Sequence, residues 1–454
     1  MSGVDLLQKY NVPVPRYTSY PTVPYWKNEV SHAEWQSAFT RRFHIGNKLE
    51  GISLYIHLPF CESLCTYCGC NKKITTNHSV EEVYMQALLQ EWRAYLRLMG
   101  EPPLLRELHL GGGTPTFFSP ENLGRMLTEI LESCSISPAH EFSLEGHPNN
   151  TTREHLQVLY ELGFRRVSYG VQDNDPEVQR VINRVQPFSN VVNATLMARS
   201  VGFTSVNFDL IYGLPLQEPV NMTKTIQECI SLRPDRVAFY SYAHVPWTSR
   251  GQRLFDESDL PDAARKMQLY RIGKELFTAA GYQDVGMDHF ALPGDALHTA
   301  HTRGRLHRNF MGYTTQHTSL LLGLGVSAIS DAGDAFVQNE KTLAGYYAAV
   351  QAGRLPVHKG YMLSDEDVDF RRYILDISCR GRTSFQQRHL PVLKEVVFPV
   401  LQSFREDGLV AYDDAGACVT ALGRNFLRNV CSAFDLHLQR GRSGQPSQLF
   451  SKAI

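Results

Sequence analysis

Apolar residues in this chain fall into two alternating patterns. Short, nearly continuous runs, "SLYIHLPF" at 53–60, "ELHLGGG" at 107–113, "EFSLEG" at 141–146, "RRVSYGVQ" at 165–172, "SVNFDLIYGLP" at 205–215 and "RVAFYSYAH" at 236–244, read as buried strands. Between them lie signals for helix ends. Ser79 with Glu82 and Thr151 with Glu154 have capping-box spacing, Ser119 precedes a proline suited to the first helical turn, and Gly163 suits a C-terminal stop. Strand and helix therefore alternate. Repeated βα units with two-sided apolar strands imply parallel pairing with both faces covered, in a barrel, complete or partial, or in a doubly wound open sheet. In either arrangement chemistry gathers at the C-terminal strand ends.

The distinctive polar residues sit at those ends. Four cysteines follow the first strand and "GGGTPT" the second; Glu145 ends the third, Gln172 follows the fourth, Asp209 lies in the fifth and Tyr242–His244 follow the sixth. Six strands aiming polar groups at one mouth favour a barrel over an open sheet. From about residue 361 the text becomes helix-rich, with "LVAYDDAGACVTA" suited to a hairpin wing between helices. The expected division is an N-terminal extension over 1–45, a catalytic barrel with its extension over 46–355, and a small helical, winged-helix-like C-terminal domain over 356–454. The final "GRSGQPSQLFSKAI" reads as loosely ordered.

Composition narrows the class. The chain has 454 residues, 43% of them apolar, and a formal charge of −1, which suits a globular fold with one large and one small domain. The N-terminus lacks the basic flank and apolar core of a signal peptide, and no apolar run is long enough for a membrane span, so the expected location is the cytosol. Balanced charge gives no case for nucleic acid. Nine cysteines, an odd number, argue for metal or redox use of clustered thiols in a reducing compartment.

The cluster is "CESLCTYCGC" at 61–70. Cys61, Cys65 and Cys68 have the spacing C-x3-C-x2-C, which can wrap three thiolates around one corner of a cuboidal iron–sulfur cluster and leave the fourth iron open. A zinc site using Cys70 as fourth ligand is the alternative, although such sites are usually built from two separated C-x2-C knuckles. Tyr67 could stack on an adenine, and Gly111–Gly113 expose backbone to an amino-acid moiety. The other cysteines, Cys134, Cys229, Cys379, Cys418 and Cys431, are scattered and read as buried small apolar residues.

The cysteine spacing with its aromatic, followed by "GGGTPT", resembles the radical S-adenosylmethionine (SAM) superfamily. Further segments in one order, "PRYTSYPT", "LYIHLPFC", "CGCNK", "GVQD", "VINR", "FDLIYGLP", "YAHVP", "GMDHFA", "LHRNFMGYTT" and "GLGVSAIS", resemble the oxygen-independent coproporphyrinogen III oxidase family. That resemblance implies a partial (β/α)6 barrel, a [4Fe–4S] cluster on Cys61, Cys65 and Cys68, and two SAM molecules. Tyr55, Gly112, Glu145 and Ile329 fall at positions of the first SAM, and Tyr67, Gly113, Thr114, Gln172, Arg184, Asp209 and Ala243 at positions of the second. The implied reaction is oxidative decarboxylation of two propionates of coproporphyrinogen III to vinyls in heme synthesis. It needs an electron donor such as a flavodoxin or ferredoxin and an electron acceptor, and the expected state is a monomer.

Arg16, with Arg303, Arg305 and Arg308, is a candidate to hold the tetracarboxylate, and Cys70 is expected beside the cluster rather than on it. Where many relatives carry E-x-D-P this chain has "EGHP", and His147 is expected behind the site or at the surface. Heme-opening methyltransferases and heme chaperones of the same superfamily are the rival readings. The chaperone branch usually lacks counterparts of Cys70 and "PRYTSYPT", both present here.

Overall fold

The computed structural model describes residues 3–26, 31–247, 249–318, 320–441 and 450–453. The six apolar runs form β1 (Ile52–Leu58), β2 (Leu104–Gly112), β3 (Ser135–Gly146), β4 (Phe164–Gln172), β5 (Ser205–Tyr212) and β6 (Arg236–Ser241). They pair in that order and all in parallel. Consecutive order with a helical crossover each time is a barrel wall; an open doubly wound sheet would reverse direction at a switch point.

The wall does not close on itself. Past β6 comes an antiparallel pair, β7 (Gln283–Gly286) and β8 (His289–Ala291), with β8 bonded to β6. On the other flank β9 (Leu320–Leu324) runs parallel to β1, and β10 (Ile329–Asp331), β11 (Ala335–Asn339) and β12 (Val357–Met362) follow in antiparallel order. The result is a partial six-unit barrel inside a twelve-stranded sheet. The sequence division at 356 falls one residue before β12, a strand of this main sheet.

Helix Val80–Met99 shows how the pattern is realised. Tyr84, Leu88, Trp92, Tyr95 and Met99 line its buried face at intervals of three and four, and Gly100 ends it at φ +69°. Its start differs from the expected Ser79–Glu82 box. Ser79 is already helical and makes no side-chain cap, because the Asn77 side chain accepts its N–H and begins the turn earlier. The Thr151–Glu154 box moves by one residue. The Thr151 hydroxyl is used by the preceding turn, donating to the His147 carbonyl, so Thr152 and His155 cap each other instead. Ser119 caps the helix starting at Pro120, and Gly163, at φ +95°, follows the next helix, as the pattern suggests.

The barrel interior is polar, whereas a closed barrel is usually filled by branched apolar layers. Glu107, His109, Asn207, Asp209 and His289 surround an inner cavity of about 90 Å³. Ion pairs lie towards the N-terminal strand ends, Arg166 to Glu141 at 2.9 Å and Arg236 to Asp295 at 2.7 Å.

The C-terminal layer begins with helix Asp365–Arg380 and carries a small sheet of β13 (Arg382–Ser384), β14 (Val410–Tyr412) and β15 (Gly416–Val419), in which β14 and β15 are the expected hairpin wing. Its core includes Leu6, Tyr10, Tyr17 and Tyr20 of the N-terminal segment, packed with Phe370, Tyr373 and Leu401. Of the tail expected to be loosely ordered, 442–449 and 454 lie outside the described residues. Cys229, Cys379 and Cys431 are buried as expected and Cys134 is half-buried; Cys418 is exposed on the outer side of the wing.

One buried carboxylate ties helix Val80–Met99 to the β9–β11 flank. Glu91 accepts from the Gly325 N–H at 2.8 Å, Asn339 Nδ2 at 2.7 Å and the Tyr346 hydroxyl at 2.6 Å, and burial pushes its carboxyl up to about 7. Replacing Glu91 by Leu strands three buried donors, so we expect a loss of about 3 kcal/mol or more. A lower midpoint in denaturant unfolding checks this; an unchanged midpoint would mean that the donors find other partners.

Candidate active site

The C-terminal ends of β1–β6 enclose a cavity of about 520 Å³. It gathers Cys61, Cys65, Tyr67, Cys68, Cys70, Gly112, Gly113, Thr114, Glu145, Gln172, Arg184 and Asp209 from six stretches of chain far apart in sequence. The cysteine loop is pinned by its neighbours. Phe60–Cys61 pairs with Lys73–Ile74 at its base, the Thr66 N–H reaches the Ile182 carbonyl, Ser249 Oγ reaches the Cys68 carbonyl, and Gln252 Nε2 reaches the Tyr67 carbonyl. Loop and β2 then meet without side chains between them. A Cβ on Gly113 would sit 2.7 Å from the Pro59 carbonyl, and one on Gly112 would sit 2.8 Å from the His57 ring.

Donors and charges converge on the thiols. Thr114 Oγ1 lies 3.4 Å from Cys61 Sγ, Arg184 Nη1 lies 3.6 Å from Cys65 Sγ, and Lys72 Nζ holds the Cys68 carbonyl at 2.9 Å. Burial pushes the Cys61 thiol up to about 11. A hydrogen bond from Cys70, with Lys72 nearby, brings Cys68 down to about 6 and leaves the Cys70 proton tightly held. Among the described residues no three His, Cys, Asp or Glu side chains are grouped to hold a single ion. A cuboidal cluster, whose ligands reach separate irons, makes a different demand and suits three thiols spaced along one loop.

Opposite the thiols stand two carboxylates in different states. Desolvation pushes Glu145 up, but His109, at 3.7 Å, and the Gly112 N–H, at 3.1 Å, outweigh it and hold the carboxyl below its ordinary value. Asp209 is pushed up to about 6 by desolvation, although Ser168 and Asn207 donate to it. Arg184 is held by the Gly170 carbonyl at 2.6 Å and keeps a buried Nε with no protein acceptor. An ionised acceptor, an exposed glycine backbone and an unpaired guanidinium N–H suit the ammonium and carboxylate of an amino acid.

Four expected site residues do not line the cavity. Tyr55 lies just behind it: a Cβ on Gly111 would meet Tyr55 at 3.0 Å and Glu145 Oε1 at 3.1 Å, so the two flank that glycine. Ile329 is two strands further out, its backbone against Gly323 of the intervening β9, which pairs with Tyr55. Ala243 is tied to Tyr67 through Gln252 Nε2, which donates to both carbonyls. Arg16 reaches the rim through Tyr240, whose ring centre is 5.9 Å from its guanidinium.

The expected arginine cluster breaks up. Arg303 and Arg305 are exposed at the end of helix Ala296–Thr302, while Arg308 is buried on the Tyr313 ring and donates to the Arg16 carbonyl. A run of nearby arginines in sequence had no means of showing that a β-strand would turn one of them inward.

His147 also departs from expectation, since Gly146 and His147 both line the cavity. Burial, with Arg184 beside it, brings the imidazole down to about 3, so it stays neutral. Lys72, Ser168, Ile211 and Tyr240 line the cavity as well and were not singled out in the sequence. Alternation along β4, β5 and β6 could have flagged the last three, which face inward with Gln172 and Asp209.

A profile of the Radical SAM superfamily matches residues 55–228. Curated oxygen-independent coproporphyrinogen III oxidases align over nearly the whole chain. The Salmonella typhimurium protein is 40% identical over 99% of this chain and 98% of its own length, the Escherichia coli protein 38% over 99% and 98%, and the Synechocystis protein 36% over 100% and 98%. The solved structure of coproporphyrinogen III oxidase from Escherichia coli, described as a radical SAM enzyme, superposes with a TM-score of 0.88 at 36% identity, covering 96% of this chain and 98% of that one.

The contact between loop and β2 is directly testable. Gly113→Ala places a methyl against the Pro59 backbone, which cannot give way as a flexible side chain would. We expect near-native far-UV circular dichroism and a severalfold loss of iron retained after anaerobic reconstitution. Full iron content would show that the loop root tolerates displacement.

Proposed function

The chain belongs to the oxygen-independent coproporphyrinogen III oxidase family of radical SAM enzymes, and on this basis we propose how its residues divide the work of the reaction. The enzyme converts two propionate side chains of coproporphyrinogen III to vinyls, giving protoporphyrinogen IX. Each –CH2–CH2–COO⁻ becomes –CH=CH2 and CO2 by losing one hydrogen atom and one electron. The observation that carries the reading is the single cavity in which three loop thiols face Glu145, Gln172, Arg184 and Asp209.

Cys61, Cys65 and Cys68 hold the [4Fe–4S] cluster. When bound, the cluster and SAM supply the 5′-deoxyadenosyl radical that takes the hydrogen atom. Glu145, already ionised by its neighbours, receives the ammonium of one SAM beside Gly112, with Tyr55 and Ile329 backing that side. A second SAM is assigned to Tyr67, Gly113, Thr114, Gln172, Arg184, Asp209 and Ala243. The unpaired Arg184 Nε suits its carboxylate, and Asp209 suits ribose hydroxyls in either protonation state. Arg16 meets the substrate at the rim.

An electron donor of the flavodoxin or ferredoxin type and a separate acceptor complete the redox balance, and the chain acts as a monomer. Among the described residues no helix is long and apolar enough to cross a membrane. The deciding experiment is anaerobic incubation of reconstituted protein with SAM, reductant and coproporphyrinogen III, with mass analysis of the porphyrin. Loss of two carboxyl groups is expected. SAM cleavage that proceeds only with heme would favour the heme-opening alternative.

Two variants separate the thiol roles. Cys65→Ser is expected to fold but lose both cluster and 5′-deoxyadenosine formation, since a hydroxyl is a poor iron ligand beside a thiolate. Cys70→Ser should keep iron, sulfide and SAM binding yet lose vinyl product, because a fourth protein thiolate would close the iron that SAM needs. Lost iron in Cys70→Ser would make it a ligand, and full turnover would make it a packing residue.

A further inference from the structure

The turn that follows β3 builds one wall of the reactive cavity, where Gly146, His147 and Asn149 stand beside Arg184 and Val185. It closes on its own start: the Asn150 and Thr151 N–H groups and the Thr151 hydroxyl all donate to the His147 carbonyl at 2.9 Å. Asn149 then fastens it sideways. Its Nδ2 donates to the Val185 carbonyl at 3.1 Å and its Oδ1 accepts from Asn190 at 2.9 Å, so the turn is held against the stretch that carries Arg184.

This packing decides which edge of the His147 ring carries hydrogen. The Asn149 N–H donates to Nδ1 at 3.1 Å, and a neutral imidazole has one acceptor nitrogen and one donor, so the proton is on Nε2. Burial, with Arg184 beside it, keeps the ring neutral. Among the described residues the ring makes no other hydrogen bond, although it borders the cavity. Arg184 has a donor to spare as well. Its Nη2 is spent on the Gly170 carbonyl at 2.6 Å and its Nη1 lies 3.6 Å from Cys65 Sγ, which leaves Nε buried without a protein acceptor. Glu62, the acid of the cysteine loop that also lines the cavity, accepts from Asn150 Nδ2 at 2.7 Å at the far end of the turn. Two neighbouring donors without acceptors, one of them cationic, suit an anion with oxygen acceptors.

We infer that the His147 Nε2–H and the Arg184 Nε–H together seat one ligand carboxylate, with His147 in direct contact with it. The inference rests on the reading above that Arg184 meets a carboxylate; it adds His147 as the second donor and Asn149 as the positioning residue that sets its tautomer. A neutral ring adds a hydrogen bond without placing a second positive charge against Arg184. Two ligands of the reaction carry such a group, SAM at its methionyl end and coproporphyrinogen at its propionates.

The test uses reconstituted full-length protein with SAM, decarboxylated SAM and coproporphyrinogen III as probes, and iron content is measured in each variant. Asparagine at 147 places an amide where Nδ1 lies, keeping an acceptor for the Asn149 N–H, but is too short to present a donor at the Nε2 position; glutamine reaches that position. His147→Asn should keep iron and Tm yet lose roughly tenfold or more in binding. A raised Kd for SAM would identify the methionyl carboxylate as the occupant, and a raised KM for coproporphyrinogen III at saturating SAM would identify a propionate. Decarboxylated SAM should bind the unaltered protein and His147→Asn alike, and His147→Gln should recover most of the loss. Full affinity in His147→Asn with loss in His147→Gln would mean that the ring only supports the turn, and would overturn the seat; so would unchanged Kd and KM in both variants, or an equal loss for decarboxylated SAM. Arg184→Gln keeps the two failures apart. If that variant, with its iron retained, alone weakens binding, only the role of His147 falls; if it binds both ligands as tightly as the unaltered protein, the reading of Arg184 falls with it.

Discussion

The site exists because β2 ends without side chains. Gly113 lies against the Pro59 carbonyl and Gly112 against the His57 ring, closer than any Cβ could be, and this contact lets the cysteine loop turn back over the strand ends into the mouth. With that root fixed, Thr114 falls beside Cys61 and Glu145 accepts the Gly112 N–H. Separation of loop and β2 by one methyl would carry the thiols away from the carboxylates of β3 and β5. Glycine here serves close approach first, and at Gly112, with φ +117°, backbone freedom as well.

A second constraint follows from leaving the barrel open. The interior of this open wall is lined by polar and charged groups rather than by apolar layers alone: Glu107, whose carboxyl burial pushes up to about 7, accepts from Ser53 and Thr314, while Arg166 pairs with Glu141 and Arg236 with Asp295. Buried charges of this kind are tolerable only when each has a partner, and pairing fixes their side chains. The mouth inherits the consequence. Glu145 stays ionised because His109 faces it, while Asp209, with only neutral donors in contact, holds its proton more readily. Two carboxylates a short distance apart thus offer different chemistry to a ligand.

The chain termini complete the enzyme at its rim. Tyr17 and Tyr20 are buried in the core of the C-terminal layer, and the Tyr17 hydroxyl donates to Asp435, so the "PRYTSYPT" segment is held from both sides as it passes β6. The helical C-terminal layer therefore does more than cover apolar surface. Through Arg428 it gathers the N-terminal segment and the tail 451–453 at one point and presents Arg16 to the mouth.

By itself the sequence determined the six parallel strands, their placement of polar groups at one end, and the cysteine loop, because these depend on local periodicity and on spacing along a short stretch. The wing hairpin and the Ser119 and Gly163 helix ends were legible for the same reason. Other features were settled by tertiary structure alone. The capping boxes at Ser79 and Thr151 failed because Asn77 and the 147–151 turn compete for the same groups, and local spacing does not rank such competitors. Arg303, Arg305 and Arg308 look alike in sequence, yet only Arg308 is turned inward, by strand pairing. His147 faces the cavity because β3 ends where it does. Lys266 and Arg428, 162 residues apart by number, become neighbours of Arg16 only when the N-terminal segment, β6 and the C-terminal layer pack together. Charge proximity of that kind depends on distances across the folded chain, which no one-dimensional pattern encodes.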